Sequence, residues 1–193
     1  MGAHMGKLLE NLNITLVIGL ILAIGLMMGF HADNLPPVII ITWLHVLVGI
    51  LWIGLLYYFN FVQIPTMPSI PAELKPAIGK HIAPKALFFF RWAALATVIT
   101  GLLVAYLSGY EKEALMMQPG FQLIGAGMWI ALVMAFNVWF IIWPNQKRAL
   151  GIVEADDASK AKSARTAMLT SRINTILSIP MLYAMSAYQP LGG

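Results

Sequence analysis

Thr42–Gln63, TWLHVLVGILWIGLLYYFNFVQ, is the stretch whose reading decides the fold. About 20 apolar residues at roughly 1.5 Å each span the hydrocarbon core of a bilayer, so the segment reads as a transmembrane helix. It carries one histidine, His45, about two turns inside a helix that starts near Val38. A polar side chain at that depth is costly unless it faces protein, water or a ligand. His45, Gly49, Trp52 and Phe59 fall close to one helical face. A glycine one turn after a histidine leaves room beside the imidazole for a flat ligand, and haem is the candidate that this predicts. The alternative is a histidine hydrogen-bonded to a neighbouring helix.

Composition places the whole chain in the same class. Sixty per cent of its 193 residues are apolar and 10% are charged, where a soluble domain has about 25% charged residues. Mean hydropathy is +0.79. The expectation is an all-α integral membrane bundle, with residues 6–193 forming a single membrane-embedded domain and Met1–Met5, MGAHM, a cloning remnant. With no cysteine, the chain has no disulfide, no thiolate metal site and no CxxCH attachment of haem. A redox cofactor is therefore non-covalent or belongs to a partner. The basic residues gather in particular loops, so the net charge of +4 does not point to nucleic acid.

Five spans are predicted, over about residues 14–30, 38–61, 86–107, 121–143 and 168–188. Prolines bound them at HADNLPP (31–37), in the loop from Pro65 to Pro84, and at Pro144, where the fourth helix is expected to stop. Pro180 is expected to kink the fifth. Residues 154–163 read as exposed helix. Gly125, Ala126, Gly127, Ala131 and Ala135 give the fourth helix a face that allows close approach. Eleven of the twelve Lys and Arg residues lie on the side of the amino terminus and only Lys112 on the other. The amino terminus is thus expected inside and the carboxyl terminus outside, in a multi-pass protein of the bacterial inner (cytoplasmic) membrane.

Depth suggests ligand pairs. His45 and Met128 each lie about eight residues from the outer surface, and histidine with methionine is an axial pair for haem iron. His31 lies near the same level, whereas His81 lies about 20 Å or more away along the helices. Met128 otherwise reads as ordinary packing and His31 and His81 as interfacial residues. A second polar set at the inner ends comprises Asn60, Gln63, Arg91, Asn137, Asn145, Gln146, Arg172 and Asn174. Within it Arg91, Asn137, Arg172 and Asn174 are expected to converge, either locking the bundle or binding an anion such as a haem propionate, a lipid phosphate or urate. Trp129, Trp143, Tyr57, Tyr58 and Tyr188 read as interfacial anchors.

FNVWFIIWPNQKRALG (136–151) and SRINTILSIPMLYAMSAYQP (171–190), together with WLHVLVGILWIG (43–54), resemble the membrane domain of the bacterial membrane-bound urate oxidases. That resemblance implies a membrane oxidoreductase whose urate oxidation is coupled to a cytochrome c domain, here necessarily a separate acceptor. The LHxxxxxxWxGLxY pattern starting at Leu44 also resembles haem-binding bacterial membrane protoporphyrinogen oxidases, a resemblance that implies His45 as the haem ligand. The resulting expectation is a haem b protein passing electrons from a small substrate to a separate cytochrome or quinone. The competing readings are a structural or assembly subunit of a respiratory complex and a transporter of a small anion such as a purine. The bilayer is the expected environment, and a homo-oligomer is left open.

Overall fold

The computed structural model describes residue 6 and residues 8–188. The expected cloning remnant lies outside the described residues. The chain divides into two compact units, Met1–Ile40 and Ile41–Gly193. In the first, helix α1 runs Leu12–His31. Asn11 caps it, its Oδ1 accepting from the backbone N–H groups of Asn13 (3.0 Å) and Ile14 (3.4 Å).

Helix α2 runs Pro37–Ser69, α3 Lys75–Leu107, α4 Glu111–Leu115, α5 Gln122–Ala149 and α6 Asp157–Ala187. There is no strand among the described residues. Helices α1, α2, α3 and α5 are long and apolar enough to cross a membrane.

Three helices pass through positions expected to end them. Proline lacks the N–H that an interior helical residue donates, and its ring clashes with the carbonyl four residues back. In α2, α3 and α5 a π-helical turn precedes the proline, at Tyr58–Gln63, Ile78–Ile82 and Asn137–Ile142. The residue just before each proline donates five residues back instead of four: Ile64 to Phe59, Ala83 to Ile78 and Trp143 to Val138. The wider turn relieves the clash and lets the helix continue beyond Pro65, through Pro84 and beyond Pro144. The expected stop at Pro144 is therefore corrected, and the expected Pro65–Pro84 loop shrinks to a short break after Ser69. The exposed helix expected at residues 154–163 merges with the fifth apolar run into the single helix α6.

The main core joins α2, α3, α5 and α6. Trp52, Leu56, Phe90, Met134 and Val138 are its largest fully buried side chains. The small-residue face of α5 does bring helices close. A Cβ on Gly127 would lie 2.9 Å from the Cβ of Ala184 on α6. In lipid, such contacts stabilise through van der Waals packing, because moving apolar side chains from lipid to protein releases little free energy. A second cluster, Ala105, Ala114, Ile124 and Met128, packs with Tyr110, Phe121 and Tyr188.

Candidate functional site

His45 on α2 lines a cavity of about 790 Å³ between α2, α3, α5 and α6. Gly49, Trp52, Met128, Ala131, Met181 and Met185 contribute to its apolar wall. Thr42, Thr97, Ser108, Tyr110, Ser186 and Tyr188 are its other polar lining residues, and no charged side chain lines it. The volume lies within the usual range for small-molecule and cofactor sites, roughly 300–1,000 Å³. His45, Gly49, Trp52 and Met128 are thus brought together in one chamber, as their helical spacing and depth suggest. Phe59, further along the same face, is buried in the main core.

The imidazole is held from α3. His45 Nδ1 lies 3.0 Å from the Thr97 carbonyl and 3.1 Å from Thr100 Oγ1. A carbonyl can only accept, so Nδ1 carries the proton in the neutral ring and Nε2 keeps its lone pair. Nε2 makes no hydrogen bond among the described residues. The ring rests against Gly101: a Cβ there would lie 2.8 Å from His45 Cε1. The glycine that makes room for the imidazole is therefore Gly101 on the facing helix, a residue that sequence reasoning missed. Gly49 is open: a methyl group added there would meet only Thr97 Cγ2, at 3.9 Å.

Aromatic rings gather beside this chamber. Tyr110 packs on Tyr188 at 5.4 Å between centroids and on Phe121 at 6.2 Å. Burial, and secondarily the neighbouring Tyr188, pushes the Tyr110 phenol above its usual pKa. Tyr188 thus packs inside an aromatic cluster, and Trp129 donates to the Leu115 carbonyl at 3.0 Å.

The inner polar set separates into parts. Asn137 Nδ2 donates to Asn174 Oδ1 at 2.8 Å, and Asn174 Nδ2 donates to the Met134 carbonyl at 3.0 Å. Asn60 Nδ2 donates to Ser171 Oγ (2.8 Å) and the Leu56 carbonyl (2.9 Å), while Tyr57 and Ser178 share a hydrogen bond at 2.9 Å. These contacts tie α6 to α2 and α5. Arg91 stands apart. Its guanidinium lies over Trp143 at 3.8 Å, and its carbonyl accepts from Trp139 Nε1 at 3.1 Å. Arg172 is exposed, so the expected convergence of four residues reduces to the Asn137–Asn174 pair.

His31 is the last residue of α1 and is exposed. His81 sits in the π turn of α3 and is also exposed. Among the described residues no three His, Asp or Glu side chains form a group able to hold a metal ion. Of these three histidines, His45 is the one that lines the chamber.

Residues 113–190 match the family described as Urate oxidase N-terminal. The match bears out the urate oxidase resemblance over residues 136–151 and 171–190 and takes in Met128, Asn137, Arg172 and Asn174; the 43–54 segment with His45, and Arg91, precede it. No curated protein and no solved structure matches the chain, so the resemblance to protoporphyrinogen oxidases gains no support.

Proposed function

We propose that this chain, whose residues 113–190 match the urate oxidase N-terminal family, is a membrane-embedded redox subunit that holds haem b through His45. The observation that carries the reading is the free Nε2 of His45 in a ring whose Nδ1 is already bonded, beside an apolar chamber of about 790 Å³. His45 would hold the group through Nε2. Imidazoles that ligate metals commonly donate their other N–H to a carbonyl, which fixes the tautomer and raises ligand basicity. Met128 lines the same chamber and would be a second candidate donor. With no charged side chain in the lining, Thr42, Ser108, Tyr110, Ser186 and Tyr188 are the polar groups available to haem propionates. Bound haem would supply one-electron chemistry. The protein's part would be to present Nε2 and to surround the group with apolar walls.

In this reading the chain spans the bacterial inner membrane five times, amino terminus inside, and passes electrons to a separate cytochrome or quinone. The test is spectroscopic. Protein produced with ample haem should show a Soret band and a reduced α-band, lost in His45→Ala and retained in His81→Ala. A well-folded, colourless protein that cannot be loaded removes the haem reading and favours a structural subunit.

A further inference from the structure

We infer that Thr100 is a positioning residue: with the Thr97 carbonyl, it holds His45 in the Nδ1–H tautomer and keeps Nε2 as the unprotonated donor nitrogen. The ligand's identity rests on the haem reading above, whereas the tautomer rests on the hydrogen bonds alone.

Thr100 Oγ1 directs its single proton to the Ala96 carbonyl at 2.7 Å, with the Thr97 carbonyl further away at 3.2 Å. With Nδ1 protonated, Oγ1 accepts from His45 at 3.1 Å. The Thr97 carbonyl accepts at 3.0 Å. The Thr97 hydroxyl does not compete, because it donates to the Ala93 carbonyl at 2.7 Å. Two acceptors thus converge on Nδ1 and no donor does. A proton moved to Nε2 would leave the Nδ1 lone pair facing the Thr97 carbonyl in a membrane interior, where such mismatches are expensive. Gly101, the next residue of α3, leaves the space in which the ring lies. One turn of α3, TVITG at 97–101, therefore supplies a carbonyl, a hydroxyl and a gap, each matched to one feature of the imidazole.

Thr100→Val keeps the shape and removes the acceptor, and Thr100→Ser restores it. In haem-free protein labelled with ¹⁵N-histidine, the His45 signal is identified by its loss in His45→Ala. All three proteins should give an Nδ1–H pattern, because the Thr97 carbonyl remains, with the Nδ1 signal displaced in Thr100→Val and restored in Thr100→Ser. On haem titration, Thr100→Val should weaken loading about 10-fold, the low end for lost outer-shell partners because the Thr97 carbonyl remains. Its midpoint potential should rise, since a less basic Nε2 stabilises ferric iron less. A Thr100→Val protein with wild-type Nδ1 signal, loading and potential overturns the inference. If no variant takes up haem, the haem reading fails while the ¹⁵N pattern still decides the tautomer. Should Thr100→Val not fold, Thr100→Ala carries the same comparison.

Discussion

Gly101 and His45 are matched in space across two helices: a methyl group on Gly101 would fall 2.8 Å from His45 Cε1 and 3.3 Å from Nδ1. Two effects of Gly101→Ala oppose each other. Helix propensity favours alanine by about 1 kcal/mol. Overpacking typically costs about 1–3 kcal/mol, and the ring in the way is rigid and held by Thr97 and Thr100. The clash should win, lowering the thermal midpoint and disturbing the His45 tautomer. Gly54→Ala, with no atom within 4 Å of the new methyl, should leave the midpoint unchanged or raise it. Equal melting of both variants would show that the imidazole moves aside at no cost.

The asparagine pair predicts a second contrast. Asn174 is fully buried, and Asn174→Leu would leave Asn137 Nδ2 without its acceptor. Unsatisfied buried groups cost about 1–3 kcal/mol in soluble proteins. Polar contacts in membranes average about 0.6 kcal/mol and reach about 1.7. With the pair enclosed between α5 and α6, the upper membrane value is expected, read as a clear drop in thermal midpoint. Arg172→Leu should change it little, because that side chain is exposed. The reverse ranking would sink the network.

That contrast also shows how much of the site was legible in the sequence. Ser171, Asn174 and Ser178 are spaced three and four apart and share a buried face; Arg172 is two residues from Asn174 and points elsewhere. The spacing carried that information, and grouping residues by depth alone obscured it. The apolar runs and the His45 face were readable because helical periodicity is local. Gly101 was not, since its partner lies on another helix and a lone glycine in an apolar run has many uses. The helix ends near Pro65, Pro84 and Pro144 were misplaced for a physical reason: a π turn removes the conflict that makes proline a stop signal.

At the start of α6, Asp156 Oδ1 accepts from Ser159 N (2.9 Å) and Oδ2 from Ser159 Oγ (2.7 Å). The side-chain bond from Ser159, then its backbone N–H, holds the carboxyl below its usual pKa. A depressed carboxylate pKa stabilises the folded helix start above the unfolded value, and the contribution disappears as pH falls through the folded value. Amide exchange at Ser159 and Lys160 should therefore quicken relative to the rest of α6 on acidification. In Asp156→Ala it should be fast already and should lose that relative change. A helix start whose protection ignores both pH and the substitution would show that the cap contributes nothing.

The topology of α6 decides how many times the chain crosses the bilayer. Its 31 residues measure about 46 Å at 1.5 Å each, well beyond a hydrocarbon core of about 30 Å. It differs in composition from the four helices that qualify by length and hydropathy, because it begins with the polar run DASKAKSAR. Its polar interior side chains have protein partners: Asn174 with Asn137 and Met134, Ser178 with Tyr57, Ser171 with Asn60. A helix that satisfies its polar groups against neighbours can enter lipid despite a modest average hydropathy. With Lys160, Lys162 and Arg165 held inside by the positive-inside rule, the apolar end should emerge on the outer face. Reporter fusions after Gly109 and Gly193 should accordingly read outside, and one after Ala158 inside. A fusion after Gly193 that reads inside, with the other two as expected, would reduce the chain to four crossings and turn α6 into a helix that packs on the bundle without traversing it.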